Sequence, residues 1–358
     1  MTTKARVLIV DDSALIRNIL TSVLQKDPEL EVVGTAADPL AARRMIKDLN
    51  PDVLTLDVEM PHMDGLAFLE KVMTLRPMPV IMVSTLTQKG TMTTLKALEL
   101  GAVDFVAKPK SGLKTGLDQL ADELIPKIKA AARIQMHAGH RSAPTTTMKP
   151  PGLPRSDFAS DRMAIAIGAS TGGVVALRTL LSAFPADAPP ALITQHMPPK
   201  YTKSLAERLN QTCAATVAEA RDGQPACPGH VYIAPGGQHL ELKRRQGQFI
   251  CKVYNGEAVS GHCPSVDVLF SSFAENAGNY GVGVILTGMG RDGAVGLLQM
   301  RRAGAITFGQ SESSCVVYGM PRVAWELGAV NSELPISQMA PAVLQACVQS
   351  NLIRQSVS

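Results

Sequence analysis

Aromatic residues make up only 4% of the 358-residue chain, with a single tryptophan, which argues against an aromatic stacking platform for single-stranded nucleic acid. There is no long Lys/Arg run, and 35 basic against 31 acidic side chains leave a net charge of +4, too mild and dispersed for phosphate-backbone binding. Long apolar stretches are missing as well. No run approaches the length of a membrane span. The start, MTTKARVLIVDD, has only a four-residue apolar run before two acids, so it does not read as a secretory signal. The six cysteines all lie in the second half and none forms a C-x-x-C pair, as expected for reduced thiols of a cytoplasmic protein. What is present is ordinary globular composition: 46% apolar, 18% charged, mean hydropathy +0.10. The length predicts two or three domains.

Short β-branched runs alternate with helix-like segments from Val7 to about Ile134: Val7 to Val10, Val53 to Leu56, Val80 to Val83 and Phe105 to Ala107. This rhythm predicts a parallel βαβ domain. Residues 137–157 follow, with four prolines, three consecutive threonines and only Met148 and Leu153 as large apolar side chains. Such a stretch buries too little surface to order itself and reads as a linker. The βα rhythm then resumes, with strands expected at Met163 to Ile167, Ala191 to Thr194, Val231 to Ala234 and Val282 to Leu286, and a helix over Lys200 to Asn210. No fixed-period repeat links the halves, so two different α/β domains are expected.

Chemistry in an open parallel sheet sits outside the carboxyl ends of the strands. In the first half those positions hold Asp11 and Asp12, Asp57, Ser84 and Lys108. Carboxylates converging at one edge repel unless a cation lies among them, and hard oxygen donors suit Mg²⁺. Asp57 could then accept a phosphoryl group as an acyl phosphate, with Ser84 and Lys108 binding its oxygens. The bland alternative is that each acid only caps the following helix.

VLIVDDS, LTLDVEMPHMDG, VSTLT and DFVAKP, in this order, resemble the signature of response-regulator receiver domains over residues 4–124. The resemblance implies a doubly wound parallel sheet and phosphorylation of Asp57 by a partner histidine kinase. It also implies Mg²⁺ held by Asp12, Asp57 and the Glu59 carbonyl with Asp11 assisting, and a switch made of Ser84, Lys108 and Phe105. Pro109 matches a proline that follows a cis bond in that family.

The second half opens with MAIAIGASTGG, an apolar run ending in a G-x-S-x-G turn at Ser170. A serine presented there, at a helix N-terminus, has backbone N–H groups able to hold an oxyanion. A dinucleotide-binding glycine turn would want an acid at the end of the next strand. That strand, ALIT, ends instead in Gln195 and His196, which supplies a base and no ribose carboxylate. His230, His239 and His262 are competing histidines, and any of them could be merely a surface or core residue. Asp292, in VGVILTGMGRDG, could orient the imidazole, with Asp222 and Asp267 as rivals. An α/β-hydrolase order of serine, acid, histidine could also be met by Asp222 with His239 or His262.

GASTGG, TQHMP, PGHVYIAPGGQHL, PSVDVLF, LTGMGRDG and CVVYGMP resemble the effector domain of the chemotaxis protein-glutamate methylesterases over residues 159–352. Residues 125–158 then hold the end of the last receiver helix and the linker. The resemblance implies a Rossmann-like parallel-sheet hydrolase with Ser170 as nucleophile, His196 as base, Asp292 as its orienting partner and the Met289 amide as oxyanion donor, and no cofactor in the esterase site. Cys263 stands where arginine is usual in that family. The implied activity is phosphorylation-activated removal of methyl esters from glutamates of methyl-accepting chemotaxis receptors, with deamidation of receptor glutamines by the same machinery. Through the tether, a weak inhibitory contact by the receiver would be substantially populated. From other classes, the alternatives are a receiver-controlled receptor-binding protein without catalysis and a DNA-binding regulator, the latter disfavoured by the lack of a basic recognition helix.

Overall fold

The computed structural model describes residues 4–60, 65–85, 87–108, 114–134 and 162–355. Pro109 and the expected linker over 137–157 lie outside them. The chain divides into two compact units, Met1–Thr146 and Thr147–Ser358, and each is described by itself.

The first unit alternates strand and helix: β1 (Ala5–Val10), α1 (Ala14–Leu24), β2 (Leu30–Ala36), α2 (Pro39–Leu49), β3 (Val53–Asp57), α3 (Gly65–Leu75), β4 (Val80–Ser84), α4 (Gln88–Glu99), β5 (Asp104–Ala107) and α5 (Lys114–Ala132). All strand pairs are parallel, in the order β2-β1-β3-β4-β5. β3 and β4 are buried throughout, which is why they read as unbroken apolar runs. Polar side chains start the helices: Ser13 caps α1, Asp38 with Pro39 starts α2, and Thr87 caps α4.

The second unit contains β6 (Ala164–Ala169), α6 (Gly173–Leu181), β7 (Ala191–Gln195), α7 (Tyr201–Asn210), β8 (Thr216–Glu219), β9 (His230–Ile233), β10 (His239–Arg245), β11 (Gln248–Tyr254), α8 (Val266–Asn276), β12 (Gly281–Ile285), α9 (Ala294–Arg302), β13 (Ile306–Gln310), α10 (Met320–Glu326), β14 (Ser332–Leu334) and α11 (Ile336–Gln355). Seven strands form one parallel sheet in the order β14-β13-β12-β6-β7-β9-β8. The chain leaves β6 toward β7 and later returns to its other side as β12, so a crevice opens beyond the end of β6 at this switch point. Strands β10 and β11 form a separate antiparallel hairpin. Its inner side chains Leu240, Leu242, Cys251 and Val253 join Phe270 and Phe273 of α8 in one apolar core.

Candidate active site

In the first unit the expected residues meet at the strand ends. Asp11 and Asp57 are buried and Asp12 is exposed, and oxygens of all three lie within 4.8 Å of one another. The Lys108 ammonium reaches in from the end of β5, with Nζ 2.7 Å from Asp57 Oδ2 and 2.9 Å from Asp11 Oδ2. Burial pushes the Asp57 carboxyl up to about 6, the Asp11 charge adds to the rise, and Lys108 and the Glu59 amide hold it back. Burial acts against charge on Lys108 too, yet bonding to Asp57 and Asp11 outweighs it and its pKa rises. The Glu59 amide donates to Asp57 Oδ1 at 3.2 Å. The group of hard carboxylates already gathers around one cation, the Lys108 ammonium, so its donor chemistry fits a divalent one.

Ser84 and Phe105 stand close by in β4 and β5, each held by a residue that the sequence pattern did not single out. The buried Ser84 hydroxyl accepts from Thr94 Oγ1 of α4 at 2.7 Å. The Phe105 ring is buried, and Lys127 of α5 donates to its carbonyl at 2.6 Å while lying 5.4 Å from its ring centroid. Lys127 also pairs with Glu123 at 2.7 Å and Asp104 at 3.5 Å. Burial disfavours its charge, but these acids outweigh burial and its pKa rises. A lone lysine or threonine inside a helix carries no sequence signal for such contacts.

In the second unit Ser170 follows β6, His196 follows β7, and the loop after β12 returns between them. The Ser170 amide donates to Thr287 O at 3.0 Å and the His196 amide to Ala169 O at 3.1 Å, so backbone pairing places the two residues side by side. Thr287 fastens the site from beneath, its hydroxyl donating to Thr171 O and accepting from the amides of Val316 and Val317. Gly288 touches the serine directly. A Cβ there would come 2.8 Å from Ser170 Cβ and 2.3 Å from Met320 Sδ, so the approach requires glycine. The next amide, that of Met289, has no hydrogen-bond acceptor among the described residues.

His196 Nε2 lies 2.8 Å from Asp292 Oδ2. Asp292 is buried and takes three further hydrogen bonds, from Ser265 Oγ (2.8 Å), Val266 N (2.7 Å) and Asp267 N (3.0 Å), at the N-terminus of α8. Burial alone would raise its pKa, but His196 and those amides outweigh it and hold the carboxyl below its usual range. An ionised carboxylate only accepts, so Nε2 is the nitrogen that donates to Asp292, and Nδ1 is the one left to face a reacting group. Nδ1 is buried and makes no hydrogen bond among the described residues, an orphan that calls for an explanation. The Ser170 hydroxyl likewise makes none.

The rival residues go elsewhere. Asp222 sits on the surface, bonded to the Val253 amide at 3.0 Å and paired with Lys252. His239 is buried between the Ser265 amide (3.3 Å) and Glu257 O (2.8 Å). Asp267 binds the Gly296 amide and Ser260, and burial raises its pKa. His230 bonds Pro228 O at 3.0 Å. His262 stacks on the face of His196, a contact invisible in sequence because two separate loops make it. Cys263 contributes its carbonyl to Gly237 N at 3.2 Å, and all six cysteines are free thiols.

A phosphoacceptor-type acidic pocket in one unit and a serine–histidine–aspartate crevice in the other define a response regulator with an esterase-type effector. The CheB methylesterase family profile matches residues 165–343, and that of the response regulator receiver domain matches residues 7–115. A protein-glutamate methylesterase/protein-glutamine glutaminase of Agrobacterium fabrum is 55% identical over 96% of this chain and 97% of its own. One from Escherichia coli is 53% identical over 98% of this chain and 99% of its own. The crystal structure of the Thermotoga maritima CheB methylesterase catalytic domain superposes with a TM-score of 0.50 at 37% identity, covering 51% of this chain and 97% of that one. The chain belongs to the CheB methylesterase family.

Proposed function

We propose that this protein hydrolyses methyl esters of glutamate side chains on methyl-accepting chemotaxis receptors, and deamidates receptor glutamines, under control of phosphorylation at Asp57. The observation that carries the reading is the His196–Asp292 pair, its Nδ1 buried and without a hydrogen-bond partner among the described residues, at the strand end next to the one that carries Ser170. The receiver spans 4–124 and the catalytic domain 159–352, with 125–158 connecting them.

Ser170 Oγ attacks the ester carbonyl as its proton passes to His196 Nδ1, and Asp292 stabilises the resulting imidazolium through Nε2–H. The negative oxygen of the tetrahedral intermediate accepts from the Met289 amide. Collapse of that intermediate breaks the C–OCH₃ bond, and the imidazolium returns its proton to the departing methoxide, releasing methanol. Water, deprotonated by Nδ1, then frees the glutamate and restores Ser170. Glutamine follows the same course with ammonia leaving. No cofactor enters these steps.

In the receiver, Asp11, Asp12, Asp57 and the Glu59 carbonyl would hold Mg²⁺, which when bound neutralises charge on the transferred phosphoryl group. Asp57 is the acceptor of phosphate from a histidine kinase. Lys108 and Ser84 bind phosphoryl oxygens, and Phe105 reports the change. The partners are receptors and kinase, met in the cytoplasm; no described helix is long and apolar enough to cross a membrane.

Methanol release from methylated receptor membranes tests the reading, together with labelling by a serine-directed phosphonate. Both should be lost in Ser170→Ala and the label should map to Ser170. Turnover by a folded Ser170→Ala protein would overturn the assignment and leave a receptor-binding protein as the surviving alternative.

A further inference from the structure

Asp292 holds the edge of the His196 ring, and His262 covers its face. The two ring centroids are 3.7 Å apart and the planes are inclined by only 16°. A tight turn delivers this second imidazole. Val259 and His262 exchange backbone hydrogen bonds in both directions at 3.0 Å, and the two residues between them, Ser260 (φ 53°) and Gly261 (φ 81°), are both left-handed. That is the arrangement of a two-residue type I′ turn, rigid for its size.

The turn is fastened on both sides. Ser260 Oγ donates to Asp267 Oδ2 at 3.0 Å, and Asp267 in turn accepts from the Gly296 amide at 2.8 Å. Downstream, Ser265 Oγ donates to Asp292 Oδ1 and the Val266 amide to Asp292 Oδ2. The segment that carries His262 is therefore anchored to the carboxylate that orients His196. Edge and face of one imidazole are fixed by a single connected piece of structure.

The two contacts do different work. The Cβ–Cγ bond and the hydrogen bond at Nε2 fix two points of the ring and leave its plane free to tilt about the line between them, which would move Nδ1. A flat ring packed 3.7 Å away removes that freedom. We infer that His262 is a positioning residue of the esterase reaction, whose ring sets the plane of His196 and so aims the Nδ1 lone pair at the Ser170 hydroxyl, without exchanging a proton with substrate. The inference rests on the role of His196 as base.

The test uses the full chain with Mg²⁺ and a small phosphodonor, measuring methanol release over a range of methylated-receptor concentrations. For His262→Ala, kcat should fall roughly 10- to 100-fold while KM stays within about twofold, since only the reacting geometry is disturbed. His262→Phe keeps a flat ring and has no ring nitrogen, so it should recover kcat to within about threefold of the original. A His262→Ala kcat within about twofold of the original overturns the inference, and so does a phenylalanine variant as slow as the alanine one, which would assign the work to a ring nitrogen. Should His262→Ala fail to show a cooperative thermal transition, Ser260→Ala decides. It loosens the turn from the Asp267 side and should lower kcat by about threefold or more with KM unchanged, and an unchanged kcat sinks the idea. His196→Gln is run alongside: if it retains turnover, the base assignment itself is wrong, whereas an inactive His196→Gln beside a fully active His262→Ala removes only the stacking role.

Discussion

Asp57 and Asp292 are both carboxylates buried at the carboxyl edge of a parallel sheet, and their surroundings push them in opposite directions. Burial is the largest influence on each. At Asp57 it wins: one ammonium is shared with Asp11, a single amide bonds the carboxylate, and the carboxyl rises to about 6. At Asp292 it loses, because the imidazole, a hydroxyl and two amides at a helix N-terminus all donate to it. The first environment leaves a carboxylate short of positive charge and open to reaction with an electrophile accompanied by a cation. The second holds a carboxylate in place with four donors and favours its ionised form. Depth of burial is nearly equal at the two sites, so donor count decides the direction in which each carboxyl is pushed.

This contrast can be broken at several points. The largest effect belongs to the serine that Asp292 serves at one remove: Ser170→Ala should lower methanol release by about 10⁴-fold or more, as should His196→Gln, because the members act as a unit. Asp292→Asn comes next. The amide can present a donor to Nε2 and favour the wrong tautomer, so kcat should drop on the order of 10³- to 10⁴-fold in a protein that still unfolds cooperatively. Retention of more than a tenth of the activity would mean that the anion is not needed.

The third prediction concerns pH and stability without Mg²⁺. A carboxyl raised from 3.8 to about 6 favours the folded state below its unfolded value and loses that contribution as pH rises through about 6. Asp292, depressed, contributes above the ordinary carboxylate range and loses it only as pH falls through its folded value. Between about pH 5 and about 7.5 the receiver transition should therefore weaken, by about 1 kcal/mol or less once partial solvation is discounted, and Asp57→Asn isolates this share from the raised Asp267 of the effector unit. Asp57→Asn should abolish the pH difference and block phosphoryl uptake, which calorimetry and an acyl-phosphate assay with hydroxylamine would show. The smallest effect is expected at the exposed acid: Asp222→Asn should change kcat by less than about twofold, and a large loss would revive the serine–acid–histidine order.

Residues at strand ends were the most legible part of the chain. Parallel strands buried on both faces read as apolar runs, and chemistry follows them directly, so Asp57, Ser84, Ser170 and His196 stand where the runs stop. The helix expected from Lys200 begins at Tyr201, because Lys200 has a positive φ that no helical residue adopts. Strand β2 is half exposed and contains Gly34, and β14 has three residues, so neither makes a run. The β10–β11 hairpin did carry a signal, alternating burial around Gln246-Gly247 with both residues at positive φ, but its charged outer face masks it. The pattern of the residues alone leaves the choice among Asp222, Asp267 and Asp292 open, because two acids in loops and one in the first turn of a helix differ only in where the chain brings them. The His262 stack and the Lys127 clasp were illegible for the same reason: each joins elements brought together only by tertiary structure.

The order of the seven-stranded sheet also sets a sequence of events in time. His196 and Asp292 are 96 residues apart, and the strands that carry their loops flank β6 on opposite sides. Parallel partners separated by so much chain close slowly, since the loop entropy must be overcome before any pairing rewards it. During synthesis β6 and β7 emerge before β12, so the edge of β6 that β12 covers can be paired only after that later segment has been made. With Ser170, His196 and Asp292 acting as proposed, esterase competence is expected only once β12 has docked and brought Gly288 and Asp292 to the site. Recovery of turnover in a refolding experiment would thus time that docking, a late step that secondary-structure signals formed earlier cannot report.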